Sequence, residues 1–462
     1  MVSDPGSGDW VTALAAIVDE PERDAARVFA TRVPASYQET VTPELAAVDL
    51  RQVAALERGL RRDPGGVGRD EAGPGLGGLH RLHVRGDPAG GDTTLRLRRY
   101  GRRSVELSTW LPVVESFGLV VVEAVPMLVG AETAGDGAVH IDDFGLRLGS
   151  GRFVPGTDSP RLLDALEAVS GGRADIDSLN RLVIAAGLAW PQVTLLRAYR
   201  RYRRQAGSSA DDAQLDDPLV AFPDVAAGLV AYFEARFEPG DDGARQARAA
   251  AARAGLLGHL GKVKHLAQDR VLRGYLALID ATLRTTYFEP SDAGRSTLAL
   301  KLDSAMVPDL PPPHPHVETW VHGPDVEGVH LRFGPVARGG IRWSDRADDF
   351  RTEVLGLAEA QVKKNAVIVP TGAKGGFVCR RSTGPNEDEV RDAYAVFIGA
   401  LLDITDNLVD GHVVRPDGVV AHDSDDPYLV VAADRGTASF SDLANEQALA
   451  RHFWLGDAFA SG

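Results

Sequence analysis

The sequence predicts a multidomain chain in which an α+β region, a helical segment and an α/β region follow one another. Three observations carry that prediction. At 462 residues, 44% of them hydrophobic, the chain is long enough for about three cores at ~100–200 residues per domain. Its apolar period alternates as in strands around 94–148 and turns helical from 156 to 290. From 291 β-branched runs return, interleaved with a helix that leads straight into a strand.

Residues 1–62 carry one or two amphipathic helical patterns. In the following RRDPGGVGRDEAGPGLGG, Gly, Pro and charge displace any apolar period, and residues 63–92 are expected to form a disordered linker. GPGLGG within it satisfies G-x-G-x-x-G, yet no strand precedes it and no helix follows, so a dinucleotide loop is not expected there. TLRLRRY reads as a strand. Ser108 is placed as the N-cap of a short helix ending at Phe117, with Gly118 as its C′ stop, and LVVVEAV and AVHIDDFGLRL read as further strands. Residues 93–155 thus make a small α+β sandwich.

Over 156–290, WPQVTLLRAYRRYRRQ sets Pro191 in a first helical turn and puts Leu195, Tyr199 and Tyr202 on one face. Its arginines could meet nucleic acid or acidic lipid, but in an acidic chain a solvated or intersubunit face is expected. The strands TLALKL, VETWVH and VHLRF flank PDLPPPHPH, where His314 and His316 are too few for a metal site and read as loop. Asp423, Asp425 and Asp426 lack the ordered spacing and closing Glu of a calcium loop and read as a solvated loop. No metal is expected.

The formal net charge of -15 disfavours the phosphate attraction on which nucleic-acid binding depends. The start, MVSDPGSGDW, lacks the basic and apolar regions of a signal peptide, and FGLVVVEAVPMLVG is too short and interrupted to span a bilayer. A cytoplasmic setting without nucleic-acid or membrane partners is expected. Cys379, the single cysteine, excludes an intrachain disulfide and a Cys-based zinc site, and reads as a small buried strand residue.

Chemistry concentrates between 338 and 376, in RGGIRWSDRADDFRTEVLGLAEAQVKKNAVIVPTGAKGG. Ser344 or Asp345 can cap a helix in which Phe350, Val354, Leu357 and Gln361 follow one line. Lys363 and Lys364 fall at its end, where the dipole favours cations. AVIVP then reads as a strand delivering Lys374 to a glycine turn at its carboxyl end, the edge where open α/β sheets bind ligands. Two readings of Lys374 stand side by side. Either it is a solvated turn lysine whose glycines only permit positive φ, or the small neighbours admit a substrate to the backbone while desolvation and nearby cations tune the lysine for proton transfer. A phosphate loop is excluded, because Walker A requires Ser or Thr after the lysine and Gly375 follows here.

RGGIRWSD, EVLGLAEAQVKKNAVIVPTGAKGGF and DDPYLVVAADRGTASFSD closely resemble the substrate domain of glutamate dehydrogenase, in particular the large bacterial NAD-specific class. LSTWLPVVESFGLVVVEAVP looks like the ACT-like regulatory region of that class, and LLRAYRRYRRQ like its helical joining segment. The resemblance implies an ACT-like domain over 93–155, a helical segment over 156–290 and a substrate-binding domain over 291–462. It further implies oxidative deamination of L-glutamate to 2-oxoglutarate and ammonia, with NAD taking the hydride.

By position in TGAKGG the catalytic lysine falls on Lys374, and the proton-shuttling carboxylate on Asp434 in YLVVAADRGT. Lys363 matches a lysine that binds a substrate carboxylate. Arg338 stands where the family has its first lysine, with Arg342 as a competing candidate for that contact. Gly339, Gly340, Gly372 and Gly375 would leave room for the substrate, and Lys363, Lys374 and Arg338 are expected to converge on it. The family implies a homo-oligomer and leaves open an amino-acid effector. An alternative is an amino-acid-binding regulatory or assembly module without catalysis. No strand, glycine turn and helix of the dinucleotide type is legible before FWLGDAFASG. The NAD site is therefore expected outside this chain, which is expected to be a truncated part of a longer enzyme that does not turn over alone.

Overall fold

The computed structural model describes residues 7–62, 79–85, 94–130, 138–149, 153–289, 297–365, 372–382 and 384–461, with the backbone alone at 7–8, 59–62, 79–85, 94, 361–365 and 461. The chain divides into two compact units, Met1–Trp190 and Pro191–Gly462. Both mix helices with antiparallel or mixed sheets, so the expected α/β and α+β multidomain class is borne out.

The first unit opens with helices α1 (Ser7–Ile17), α2 (Arg23–Arg32), α3 (Ala35–Thr40) and α4 (Pro43–Arg62). Strands β1 (Leu79–Arg85), β2 (Thr94–Gly101), β3 (Leu119–Val129) and β4 (Val139–Leu148) form an antiparallel sheet in the order β1-β2-β4-β3. Helices α5 (Leu107–Ser116), α6 (Pro155–Ser170) and α7 (Leu182–Ala185) complete the unit.

The N-terminal helices are not a separate segment. Trp10, Leu14, Phe29 and Tyr37 share a core with Tyr100, Val129, Val139 and Ile141 of the sheet. Asp49 of α4, fully buried, accepts from Tyr37, Tyr100 and Arg98. A buried carboxylate is tolerable because these donors replace its water.

Two expectations need correction here. Residues 79–85, read as linker, pair with β2 over their whole length as β1. A lone strand next to glycines looks irregular until its partner is known, because pairing rather than local propensity stabilises it. The remainder of that linker, with GPGLGG, lies outside the described residues. Helix α5 begins at Leu107 with Glu106 in the N-cap place, so Ser108 is not the cap. Gly118 takes φ 77° just after the helix, the left-handed stop that glycine makes cheap.

In the second unit α8 (Trp190–Gln205), α9 (Asp212–Ala221), α10 (Pro223–Phe237), α11 (Asp242–Leu260) and α12 (Leu266–Ala281) precede the sheet. The helices read as one segment over 156–290 are therefore divided between the two units, and their run ends in a strand, β5 (Thr282–Thr285). There follow β6 (Leu298–Asp303), β7 (Val317–His322), β8 (Val326–Arg332), β9 (Arg338–Trp343), α13 (Phe350–Asn365), β10 (Ala373–Cys379), α14 (Glu387–Asp403), β11 (Asn407–Val409), β12 (His412–Val414), β13 (Val430–Ala433), α15 (Ser441–Ala450) and β14 (Ala460–Ser461). The main sheet runs β14-β13-β9-β10-β8-β7-β6-β5. Strands β9, β10, β13 and β14 are mutually parallel where they pair, and β10 meets the antiparallel half at β8. Helices α13 and α15 carry the crossovers that parallel pairing requires. No single helix among the described residues is long and apolar enough to cross a membrane.

Leu195, Tyr199 and Tyr202 of α8 are fully buried, as its period predicts. Its arginines are not a solvated face. Arg197 and Arg200 are buried, Arg200 donates to Asp216 at 2.7 Å, and Arg201 grips Glu327 with contacts of 2.8–3.1 Å. The acidic partners lie up to 126 residues away, so the helical period alone could not show that this face is inward.

The aspartates of 423–426 also differ from the solvated loop expected. Asp423 and Asp426 both accept from Lys301, at 2.5 and 2.7 Å; Arg284 bonds Asp423 and Asp406, and Arg332 bonds Asp426. Asp425 alone stays at the surface, facing Arg415. Burial opposes ionisation of Asp426, but Arg332 and Lys301 outweigh it and hold its carboxyl down to about 2. Three cations and three carboxylates thus clamp the segment that leads into β13.

Beside this cluster His330 of β8 is buried with Nε2 unpartnered, and burial together with the Arg332 charge pushes its imidazole down to about 3. The folded chain keeps it neutral, while the unfolded imidazole takes a proton below its ordinary 6.5. His330 therefore costs no stability above pH 6.5, and its contribution falls as pH drops from 6.5 toward 3, with a slope of up to about 1.4 kcal/mol per pH unit. Urea midpoints at pH 7 and pH 5 should lie closer together in His330→Gln than in the unaltered chain; an equal gap would contradict the neutral, buried imidazole.

Candidate active site

Lys374 is the second residue of β10, not the tip of a turn. The expected strand AVIVP lies outside the described residues, and the stretch AKGGFVC is itself the strand, pairing Lys374 with Leu331 of β8 and Gly375 with Ile341 of β9. The glycines are there for packing. A Cβ on Gly376 would strike Val354 of α13, one on Gly375 would strike Ile341, and one on Gly339 would overlap the Ala373 carbonyl. Gly372 bridges Arg338 in parallel and accepts from the Phe333 amide at 3.1 Å.

Asp434 follows β13 directly. Strand β13 pairs with β9 so that Ala432 stands beside Gly340, and β9 separates it from β10. Lys374 and Asp434 meet across that intervening strand, Nζ to Oδ2 2.5 Å, each side chain 16% exposed. They meet there because position 340 has no side chain: a Cβ on Gly340 would lie 3.0 Å from Asp434 Cβ and 3.2 Å from Oδ2. The Asp434 turn is also tied down. Its Oδ1 accepts from the Arg435 amide at 2.6 Å, its own amide donates to Thr437 Oγ1 at 3.1 Å, and Thr437 Oγ1 donates to the Ile341 carbonyl at 2.6 Å.

Burial opposes ionisation of Asp434. The Lys374 contact, the Arg435 amide and the charges of Lys374 and Arg342 outweigh it, so the carboxyl lies below its ordinary value. Arg342, on β9, donates through NH1 to Glu353 Oε1 at 2.6 Å and holds NH2 3.7 Å from Asp434 Oδ1. Glu353 accepts from Ser344 Oγ at 2.7 Å with its other oxygen.

Neither Ser344 nor Asp345 caps α13, because the helix starts only at Phe350; the Ser344 hydroxyl donates to Glu353 and accepts from the Arg346 amide. The helix is held instead by Phe350 stacked on Trp320 and by the fully buried pair Arg351–Glu318. Glu353, Ser344 and Thr437 are neighbours of the candidate site that sequence reasoning missed. An acid in the first turn reads as a dipole partner, and nothing in its spacing says that it reaches back to Arg342.

Arg338 opens β9 on the same side as Gly340 and Arg342, exposed and without an ion pair among the described residues. Lys363 lies in α13, but its side chain is outside the described residues, so the expected convergence of Lys363, Lys374 and Arg338 rests on Lys374 and Arg338 alone. Lys374 meets a carboxylate rather than a second cation. The described residues contain no group of three or more His, Cys, Asp or Glu able to hold a metal. His314 bonds the Leu310 carbonyl, and Cys379 is half-buried, with burial pushing its thiol up to about 11, away from the thiolate form.

Residues 81–157 match the family described as glutamate dehydrogenase, ACT3 domain, residues 174–239 that described as glutamate dehydrogenase, helical motif 3, and residues 255–462 that described as bacterial NAD-glutamate dehydrogenase, catalytic domain. The chain is 43% identical over 444 residues to the NAD-specific glutamate dehydrogenase of Halomonas elongata, covering 94% of this chain and 26% of that protein. It is 46% identical over 387 residues to that of Mycobacterium tuberculosis, covering 78% and 24%, and 43% identical over 451 residues to that of Pseudomonas aeruginosa, covering 94% and 26%. The chain spans about a quarter of the length of these curated relatives.

Proposed function

We propose, for a chain that belongs to the bacterial NAD-specific glutamate dehydrogenase family, that its second unit binds L-glutamate and supplies the proton chemistry of oxidative deamination to 2-oxoglutarate and ammonia. The observation that carries this reading is the Lys374–Asp434 contact across Gly340. Asp434, ionised, takes a proton from the substrate ammonium and later returns one to the departing nitrogen. Lys374, on the same side of the sheet, orients the water that adds to the substrate imine carbon, and the proton which that water sheds passes to solvent. Arg338 would hold one substrate carboxylate, with Lys363 as the second cation. Opposite charges in a half-buried cleft are worth more than in water.

NAD is the acceptor that the relatives' names specify, and it would take the hydride. The turn from β13 into α15 holds a single glycine, Gly436, whose missing Cβ would lie 3.2 Å from Trp343. Among the described residues it offers no glycine-rich cradle for a dinucleotide diphosphate. The hydride step is therefore not assigned to residues of this chain.

Calorimetry with 2-oxoglutarate tests the substrate site without cofactor. Heat of binding is expected for the unaltered chain, and Arg338→Ala should weaken it about tenfold or more, the loss of one charge-assisted contact. No heat at millimolar ligand would sink the reading. The finer proposals are an amino-acid effector for the first unit, assembly from several copies and a cytoplasmic setting. Assembly is supported by β3, an edge strand whose residues 122–126 are all exposed and mostly apolar, the kind of edge that recruits another chain. A single sedimenting monomer at micromolar concentration would count against it.

A further inference from the structure

We propose that Arg342, braced by Glu353, is a positioning residue that keeps the Asp434 carboxylate charged and turned toward Lys374, and that it does not bind a substrate carboxylate. The inference rests on the substrate-site reading above and deepens it.

The geometry of the guanidinium carries the argument. A bidentate grip on a carboxylate needs two parallel N–H groups on one edge of the fork. NH1 is taken by Glu353 Oε1 at 2.6 Å, and Nε is enclosed without a partner. Neither two-pronged edge is open to a ligand. NH2 points to Asp434 Oδ1 at 3.7 Å, and Arg342 is only 14% exposed. Glu353 cannot swing away, because Ser344 Oγ holds its second oxygen at 2.7 Å and Ser344 is itself anchored through its amide to the Phe377 carbonyl at 2.9 Å.

The charged groups that face Asp434 are Lys374 from β10, Arg342 from β9 and, behind Arg342, Glu353 from α13; Arg435 contributes its backbone amide. Lys374 is the cation that must turn toward substrate during the reaction. When it does, Arg342 is the charge left beside a half-buried carboxylate that has to stay ionised to accept the next proton. The low-lying Asp434 carboxyl, to which Arg342 contributes, agrees with this arrangement.

The test uses the full chain and two variants, Arg342→Gln and Arg342→Lys, each checked for fold by circular dichroism. The Asp434 carboxyl is titrated by difference infrared spectroscopy against Asp434→Asn, and 2-oxoglutarate affinity is measured by calorimetry. In Arg342→Gln the Asp434 midpoint should rise above that of the unaltered chain, while 2-oxoglutarate affinity stays within about threefold, because no ligand contact is lost. Arg342→Lys keeps the charge but not the fork, so its midpoint should lie between the other two; if Arg342→Gln fails to fold, a raised midpoint in Arg342→Lys supports the proposal and an unmoved one overturns it. A tenfold or greater loss of affinity in Arg342→Gln, or an unmoved midpoint, overturns it. Absence of any 2-oxoglutarate heat in the unaltered chain would count against the substrate site alone, since the infrared titration needs no substrate.

Discussion

Lys374→Ala in the active enzyme is expected to slow glutamate-dependent NADH formation by roughly 10²–10⁴-fold, the range that a positioned proton-transfer group supplies. The fold should survive. Strand β10 is held by backbone pairing to β8 and β9, and its buried residues Phe377 and Val378 carry the packing. What is lost is the ammonium that touches Asp434 and faces the place where substrate would lie. Asp434→Asn should cost a similar factor, and the double variant little more than either alone, because the two groups act as one unit. Steady-state kinetics with circular dichroism as the fold control decide it. Activity within a few-fold of the unaltered enzyme would show that the contact between Lys374 and Asp434 is an ordinary ion pair.

Gly339→Ala is expected to unfold the second unit or to destabilise it by at least about 4 kcal/mol, a loss that points to a specific steric cause. The added Cβ would overlap the backbone carbonyl of Ala373, which is fully buried and paired within the sheet. A flexible side chain could turn aside; the carbonyl of Ala373, a residue paired with Arg332 of β8, cannot move without disturbing β10, the strand that carries Lys374. Gly384→Ala is the control, since nothing lies within 4 Å of its Cβ position, and its effect should stay within about 0.5 kcal/mol. Urea denaturation of both variants gives the comparison, and near-native stability of Gly339→Ala would mean that the strands can separate there at little cost.

Gly340→Ala isolates the other function of the glycines. Its Cβ would press on Asp434 at 3.0–3.2 Å and on the Ala433 carbonyl at 3.1 Å, against the outright overlap with a carbonyl that a Cβ on Gly339 would make, so the sheet can survive while the Lys374–Asp434 pair is pushed apart. Gly339 is small so that two strands can pair, and Gly340 so that two charged side chains can meet across a third strand. Both lie in one RGG triplet.

The sequence by itself determined the class of fold, the family and the residues that meet at the centre of the site. RGGIRWSD, TGAKGGF and VVAADRGT mark the family that the matches over 81–157, 174–239 and 255–462 bear out, and they contain Lys374 and Asp434. Local period also placed Leu195, Tyr199 and Tyr202 on the buried face of α8. Tertiary structure alone decided where the charges go. The arginines of α8 turn inward because Asp216 and Glu327 wait there, the aspartates of 423–426 are clamped because Arg284, Lys301 and Arg332 come from three other strands, and Arg342 is spent on Glu353 and Asp434. The physical reason is the same in each case. Apolar periodicity is a local property set by the helix or strand repeat, whereas a charged side chain is buried only where distant partners replace its water, and those partners are brought together by pairing between strands far apart in the chain.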